Sequence, residues 1–284
     1  AVAQAAAPRD LPALPKAHLH LHFTGSMRHG TLLELAERDG IALPDALVTE
    51  WPPTLSAADE KGWFRFQRLY DVARSVLRTE ADVRRLVREA AEDDQRDGGR
   101  WLEIQVDPSG YAAKFGGITA FTDLVLDAVT EASRDVGIGM AVVIAANRTR
   151  HPLDARTLAR LAAQYADRGV VGFGLSNDER RGRTADFAPA FAIAERAGLL
   201  LVPHGGELLG ADSVRVCVGY RIGGRVVDTP PMSSVSFGDC SAVYEELPGW
   251  NESTAGLSSY EALPQNAKSY LARLQALVGV PVTM

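Results

Sequence analysis

The stretch WLEIQVDPSGYAAKFGGITAFTDLVLDAVTEASRDVGIGMAVVIAA, residues 101–146, sets the reading of this chain, because an apolar run, a helical run and a second apolar run follow one another. WLEIQVDP and GMAVVIAA are short and apolar with Gly or Pro at their borders, whereas FTDLVLDAVTEASRDV repeats its apolar residues at helical spacing. Strand, helix, strand in that order predicts a parallel pair joined by a crossover.

The same alternation continues downstream. VVGFGLS (170–176) and LLLVPHGGE (199–207) read as strands, with LDARTLARLAAQYADRG and FAPAFAIAERAG as the helices before them. Upstream, LPKAHLHLHFTGSM (14–27) reads as a first strand, and TLLELAERDG after it reads as a helix stopped by Gly40 with Pro44 beyond. A Pro-rich loop, WPPTLSA, precedes two or three amphipathic helices between Lys61 and Asp97. Five β/α units by Glu207 predict an α/β fold of TIM-barrel type, in which function gathers at the C-terminal ends of the strands.

Composition narrows the function classes. The 284 residues are 46% apolar and 23% charged, within the range of globular proteins. Thirty basic against thirty-six acidic side chains, with no basic block, argue against a nucleic-acid partner. Apolar runs of a few residues fall far short of the roughly 18–20 that cross a bilayer, so no membrane partner is expected. The opening AVAQAAAPRD lacks the charged start and apolar stretch of a leader, and residues 1–13 read as a disordered tail. Two cysteines, Cys217 and Cys240, make no disulfide framework, and a cytoplasmic setting is the default.

Within the first strand, His18, His20 and His22 occupy every second position. In a regular strand all three imidazoles point the same way about 6.5–7 Å apart, and two of them could converge on one ion. Imidazole is a common zinc ligand. Two later strand ends carry further candidates: His204 and Glu207 after the fifth strand, and Asn177, Asp178 and Glu179 after the fourth. A third imidazole beside a carboxylate would complete a hydrolytic zinc site. Phe66 and Tyr70, one helical turn apart, read either as an ordinary buried face or as a lid over an apolar substrate.

Taken together, LPKAHLHLHFTGSM, GFGLSNDE and PHGGE, in this order, resemble the adenosine deaminase family of metal-dependent aminohydrolases over residues 14 to about 215. The resemblance implies that His20, His22 and His204 hold a zinc ion (Zn2+), with His18 at a non-ligand position. It implies that Glu207 protonates the purine ring nitrogen, and it places Phe66 and Tyr70 near the substrate mouth. Thr24 stands where the family often has an aspartate contacting the ribose, and Asn177 replaces a glycine whose backbone faces the purine. The implied activity is zinc-dependent hydrolytic deamination of adenosine or a related adenine compound, a small-molecule purine substrate; the oligomeric state is not implied.

After Arg215 the family pattern stops. It should continue with a sixth strand ending in histidine, a seventh, and an eighth ending in paired aspartates. This sequence has no histidine beyond His204, and Asp212, Asp228 and Asp239 lie in unrelated contexts. Instead residues 216 to about 282 resemble the C-terminal part of adenylosuccinate synthetase, through VYEELPGW followed by LPQNAKSYL. No phosphate-binding GxxxxGK[ST] loop occurs to import that enzyme's chemistry. From the residues alone, YRIGGRVV reads as a tight hairpin with a Gly-Gly turn, and Asn266 to Leu277 as an amphipathic helix. GVPVTM at the close is similar to the way the deaminases enter their eighth strand.

The expected organisation is therefore a tail (1–13), an incomplete barrel-like deaminase portion (14–215) and a small α+β segment (216–284), as in a chimera, natural or engineered. Loss of the later histidine and aspartates implies impaired activity. The alternative is a non-catalytic or engineered hybrid that keeps a metal-binding shell.

Overall fold

The computed structural model describes residues 13–49, 60–208, 213–228, 240–252, 254 and 257–279. The tail up to residue 12, the loop WPPTLSA and the last five residues, on which expectations were placed, lie outside the described residues. The chain divides into two compact units, the first closing at His204 and the second opening at Gly205.

In the first unit, strands β1 (Lys16–His22), β2 (Gly99–Val106), β3 (Gly139–Asn147), β4 (Val170–Ser176) and β5 (Leu200–Pro203) lie side by side in sequence order, every neighbouring pair parallel. Helices α1 (His29–Arg38), α2 (Asp45–Val48), α3 (Glu60–Ser75), α4 (Glu80–Arg96), α5 (Ile118–Val136), α6 (Pro152–Gln164) and α7 (Ala188–Arg196) connect them. The five strands form a curled half-barrel, the incomplete TIM-type fold expected from the alternation.

The helix borders follow from local chemistry. Thr79 and Asp82 form a reciprocal capping box at the start of α4, and Gly137 closes α5 in the left-handed conformation at φ 77°. Leu102 and Ile104 of β2, Val142 and Ile144 of β3, and Phe173 and Leu175 of β4 are buried in one core with Leu86 of α4 and Phe121 of α5. Each such side chain contributes about 1.5–3 kcal/mol by leaving water. On the opposite, concave face, a Cβ on Gly174 would lie 2.7 Å from Gln105 Oε1. Glycine at 174 therefore makes room for a glutamine that reaches across the face.

The three imidazoles of β1 do not point the same way. Leu102 pairs with His18 and Ile104 with Leu21, so three steps along β1 match two along β2. That extra residue is a β-bulge, which reverses the alternation of faces. His18 consequently turns toward the helices, where its Nδ1 lies 2.8 Å from Asp94 Oδ1 of α4.

The first and last strands, β1 and β5, each have one neighbour in this sheet. Leu19, Leu200 and Leu201 near them are 60%, 55% and 41% exposed. These are the parallel edges that an incomplete barrel leaves.

The second unit is antiparallel. Strands β6 (Ser213–Ile222), β7 (Arg225–Val227) and β8 (Cys240–Pro248) form a sheet in the order β7-β6-β8. Gly223 and Gly224, at φ 53° and 81°, make the expected two-residue turn, whose geometry requires positive φ at both positions. Strand β6 runs straight through Arg215 and Val216, which pair with Glu246 and Glu245. The expected helix spans Gln265–Val278. Both cysteines are free thiols. No described helix is long and apolar enough to cross a membrane.

Candidate metal centre

The bulge that sends His18 to the helix side leaves His20 and His22 on the concave face, at the C-terminal end of β1. His204 follows the last residue of β5. The Nε2 atoms of His20, His22 and His204 are mutually 3.0 Å apart. A hydrogen bond joins one donor to one acceptor, so a closed triangle of ring nitrogens is not satisfied by hydrogen bonding. A shared cation satisfies it. A triangle with sides of 3.0 Å has its corners about 1.7 Å from its centre, within the zinc–nitrogen distance of about 2.0–2.1 Å, so one ion can touch all three. The donor set therefore fits zinc. Among the described residues these three are the one group that could hold a metal ion.

The surroundings prepare the lone pairs. His204 Nδ1 lies 3.0 Å from the carbonyl oxygen of Leu175, which can only accept, so Nδ1 carries the proton and Nε2 is left unprotonated. The backbone amide of His204 donates to the same carbonyl at 2.8 Å. Arg148, 2% exposed, donates to the carbonyl of His204 at 2.5 Å and to Gly182 and Thr184 at 3.1 Å. Burial, followed by the neighbouring imidazoles of His204 and His20, pushes the pKa of His22 down to about 4. Burial also lowers that of His204, reinforced by Arg148 and opposed by the Leu175 hydrogen bond and by Glu179. Both rings are neutral near pH 7, the state in which imidazole binds metals.

The other candidates fall around this centre as follows. Thr24 is buried, and its hydroxyl is hydrogen-bonded to Tyr111 and Tyr70. Burial raises the phenol pKa of both tyrosines. Tyr70 lies beside β1, for a Cβ on Gly25 would be 3.6 Å from His22 Cβ and 3.9 Å from the Tyr70 ring. The Phe66 ring is 6.3 Å from that of Tyr70 and 5.6 Å from Trp63, and Phe66 is 37% exposed. Asn177 is the one non-glycine at positive φ among the described residues, at 83°. Its amide donates to Gln67 of α3 at 3.4 Å and its carbonyl accepts from the Asp178 amide at 2.8 Å. A left-handed backbone at this strand end is the kind of local strain found at functional sites, and asparagine tolerates it better than most residues. Glu207 is exposed and stands in the second unit, three residues beyond His204 in the chain.

Two residues escaped the sequence reading. Asp107 directly follows β2, accepts from Ser109 N at 2.9 Å and Ser109 Oγ at 2.6 Å, and has its carboxyl pKa raised by burial. An aspartate closing an apolar run was the available signal. Arg148, directly after β3, was signalled in the same way.

The half-barrel and its imidazole triad define the class: an incomplete α/β barrel of the amidohydrolase kind. The adenosine deaminase family model matches residues 15–225, and the chain belongs to that family. The adenylosuccinate synthetase model matches residues 198–284, overlapping the first match. A relative from Streptomyces virginiae, named "Putative adenosine/adenine deaminase", is 68% identical over 210 residues, covering 74% of this chain and 62% of its own. The chain thus spans about three fifths of that relative's length. The adenylosuccinate synthetase of Halorhodospira halophila is 49% identical over 75 residues, 26% of this chain and 17% of that protein. Among solved structures, an amidohydrolase from Burkhoderia ambifaria with bound zinc aligns with TM-score 0.59 at 25% identity, over 69% of this chain and 53% of that one.

Proposed function

We propose that this chain carries a zinc site of deaminase type, acting on adenosine or a related adenine compound with turnover below that of its full-length relatives. The observation that carries this reading is the triangle of ring nitrogens 3.0 Å apart. His20, His22 and His204 would hold the ion, which when bound supplies Lewis acidity and lowers the pKa of water toward about 7. Leu175 and Arg148 fix His204, the first through its ring proton and the second through its carbonyl. Glu207 is assigned as the acid that protonates the purine ring nitrogen, making the ring a better electrophile. Asn177, Phe66 and Tyr70 are assigned to the substrate side, with Thr24 acting through the two tyrosines that its hydroxyl holds.

Reduced turnover is part of the proposal because, among the described residues, the group that could hold the ion consists of imidazoles alone. A positioned acid or base contributes about 10²–10⁴ in rate. The same observation favours a second reading, a non-catalytic hybrid, natural or engineered, that keeps a metal-binding shell. Zinc-loaded protein assayed for ammonia release from adenosine and adenine separates the two. Turnover abolished by Glu207→Gln with zinc content unchanged supports the deaminase reading. Full zinc occupancy without ammonia from any adenine compound supports the hybrid. Absence of zinc binding overturns both.

A further inference from the structure

Helices α4 and α5 show how this protein treats arginines between neighbouring helices. Arg84 reaches Glu131 at 2.9 Å and Arg88 reaches Asp135 at 2.7 Å, each a guanidinium on α4 meeting a carboxylate on α5. Helices α6 and α7 are also neighbours, and the cavity they line is different. Arg156 and Arg160 of α6 and Arg196 of α7 border a concavity of about 510 Å³ together with Pro189, Ala192 and Ile193. No carboxylate lines it. The Nε–H of Arg156 is buried without an acceptor.

We propose that this groove binds a phosphate group, as inorganic phosphate or as the phosphate end of a small metabolite. Three guanidiniums in one concavity repel one another unless an anion sits among them, and their planar forks match tetrahedral oxyanions in paired N–H···O contacts. The unpartnered Nε–H costs free energy in its present state, and an acceptor in the groove removes that cost. The volume lies within the range of small-molecule sites, about 300–1,000 Å³, and the apolar wall of Ala192 and Ile193 leaves space beside a phosphate for a carbon skeleton. Arginine pairs one turn apart on a single helix, such as Arg156 and Arg160, present both charges to the same side.

Titration calorimetry of the full chain with inorganic phosphate, at ionic strength held constant with chloride, tests this. Saturable binding is expected, weakened at least about tenfold in R156Q/R160Q, because each charge-assisted hydrogen bond carries roughly that much. R196Q, removing the charge from the other helix, is expected to weaken it in the same direction. R84Q/R88Q, which removes the same charge from α4, is expected to leave it unchanged. Ribose 5-phosphate in place of phosphate distinguishes the sources: tighter binding than phosphate marks a metabolite's phosphate end, and equal binding marks the free anion, each in keeping with the site. No saturable binding by wild type, or equal loss in R84Q/R88Q and R156Q/R160Q, overturns the proposal. Circular dichroism of each variant confirms that the helices persist.

Discussion

Phe121 in the first unit is fully buried, stacked on Tyr111 at 4.3 Å and edge-on to Phe23 at 5.9 Å, whereas Tyr244 on β8 of the second unit is 59% exposed. The contrast extends to the whole of each unit. Of the buried apolar side chains, only Val216 and Ala267 belong to the second unit's described residues. That unit relies on strand hydrogen bonds and a few side-chain contacts: Arg273 with Glu245 at 2.6 Å, Asn266 with the Gly249 carbonyl at 2.6 Å, and Trp250 with Tyr270 at 6.0 Å. Three strands need a hydrophobic face or a covering helix to be stable in water, and Val216 is the one apolar strand side chain buried among the described residues of this unit. The first unit is a packed core that presents a site; the second holds its form by backbone pairing.

The sharpest way to break this comparison is core truncation. Phe121→Ala is expected to cost about 3–5 kcal/mol in urea unfolding, and Tyr244→Ala under about 1 kcal/mol. Equal costs would show that the second unit buries its strands as deeply as the first. Zinc comes next in size: at a hundredfold excess over its Kd it should stabilise the first unit by about 2.7 kcal/mol, and His22→Ala should abolish the effect. Hydrogen exchange locates the gain, with slower exchange expected in β1 and β5 and unchanged exchange in β6 and β8. A smaller effect is expected at the capping box, where Thr79→Ala should cost about 1 kcal/mol by freeing the first turn of α4.

Acid supplies the mildest test. Burial of Asp82 opposes its ionisation, but Arg38 and the amides of Arg78 and Thr79 outweigh that and hold its pKa below the usual carboxylate range. A depressed carboxylate pKa stabilises the fold above the unfolded-state value near 4 and loses that contribution as pH falls below it. Thermal midpoints of wild type and Asp82→Asn should therefore differ above about pH 4 and draw together progressively as pH falls below it, meeting only once the folded-state carboxylate is itself protonated. A difference that persists into strong acid would mean that the carboxylate's charge is not what matters.

Much of this was legible in the residues. Gly223-Gly224 announced its hairpin because few other pairs adopt two positive φ values, and the β/α alternation announced the parallel sheet. The grouping of His20, His22 and His204 was legible only through family resemblance, since spacing alone placed three histidines on one face. The bulge that separates them depends on pairing with β2, a relation between distant segments that no local pattern encodes. Strand β8 escaped for a related reason: CSAVYEELP has no clean apolar alternation, and β6 is what makes it a strand. Gln105 and Asp107 were hidden because each is a lone polar residue in an apolar run, and their burial comes from the sheet around them.

The bulge in β1 has a consequence for how the chain can vary. Leu19 is 60% exposed, so packing places little demand on which side chain stands there. Nor does the face taken by any of the three histidines depend on it. Deleting it would bring His18 and His20 next to each other in regular alternation, with His18 still opposite Leu102 on the helix side and His20 and His22 still on the concave face. At this position the protein is indifferent to spelling and to length alike: Leu19→Ser, Leu19→Thr and removal of the single residue should each keep zinc binding, and loss of binding on removal would show that the bulge itself shapes the site.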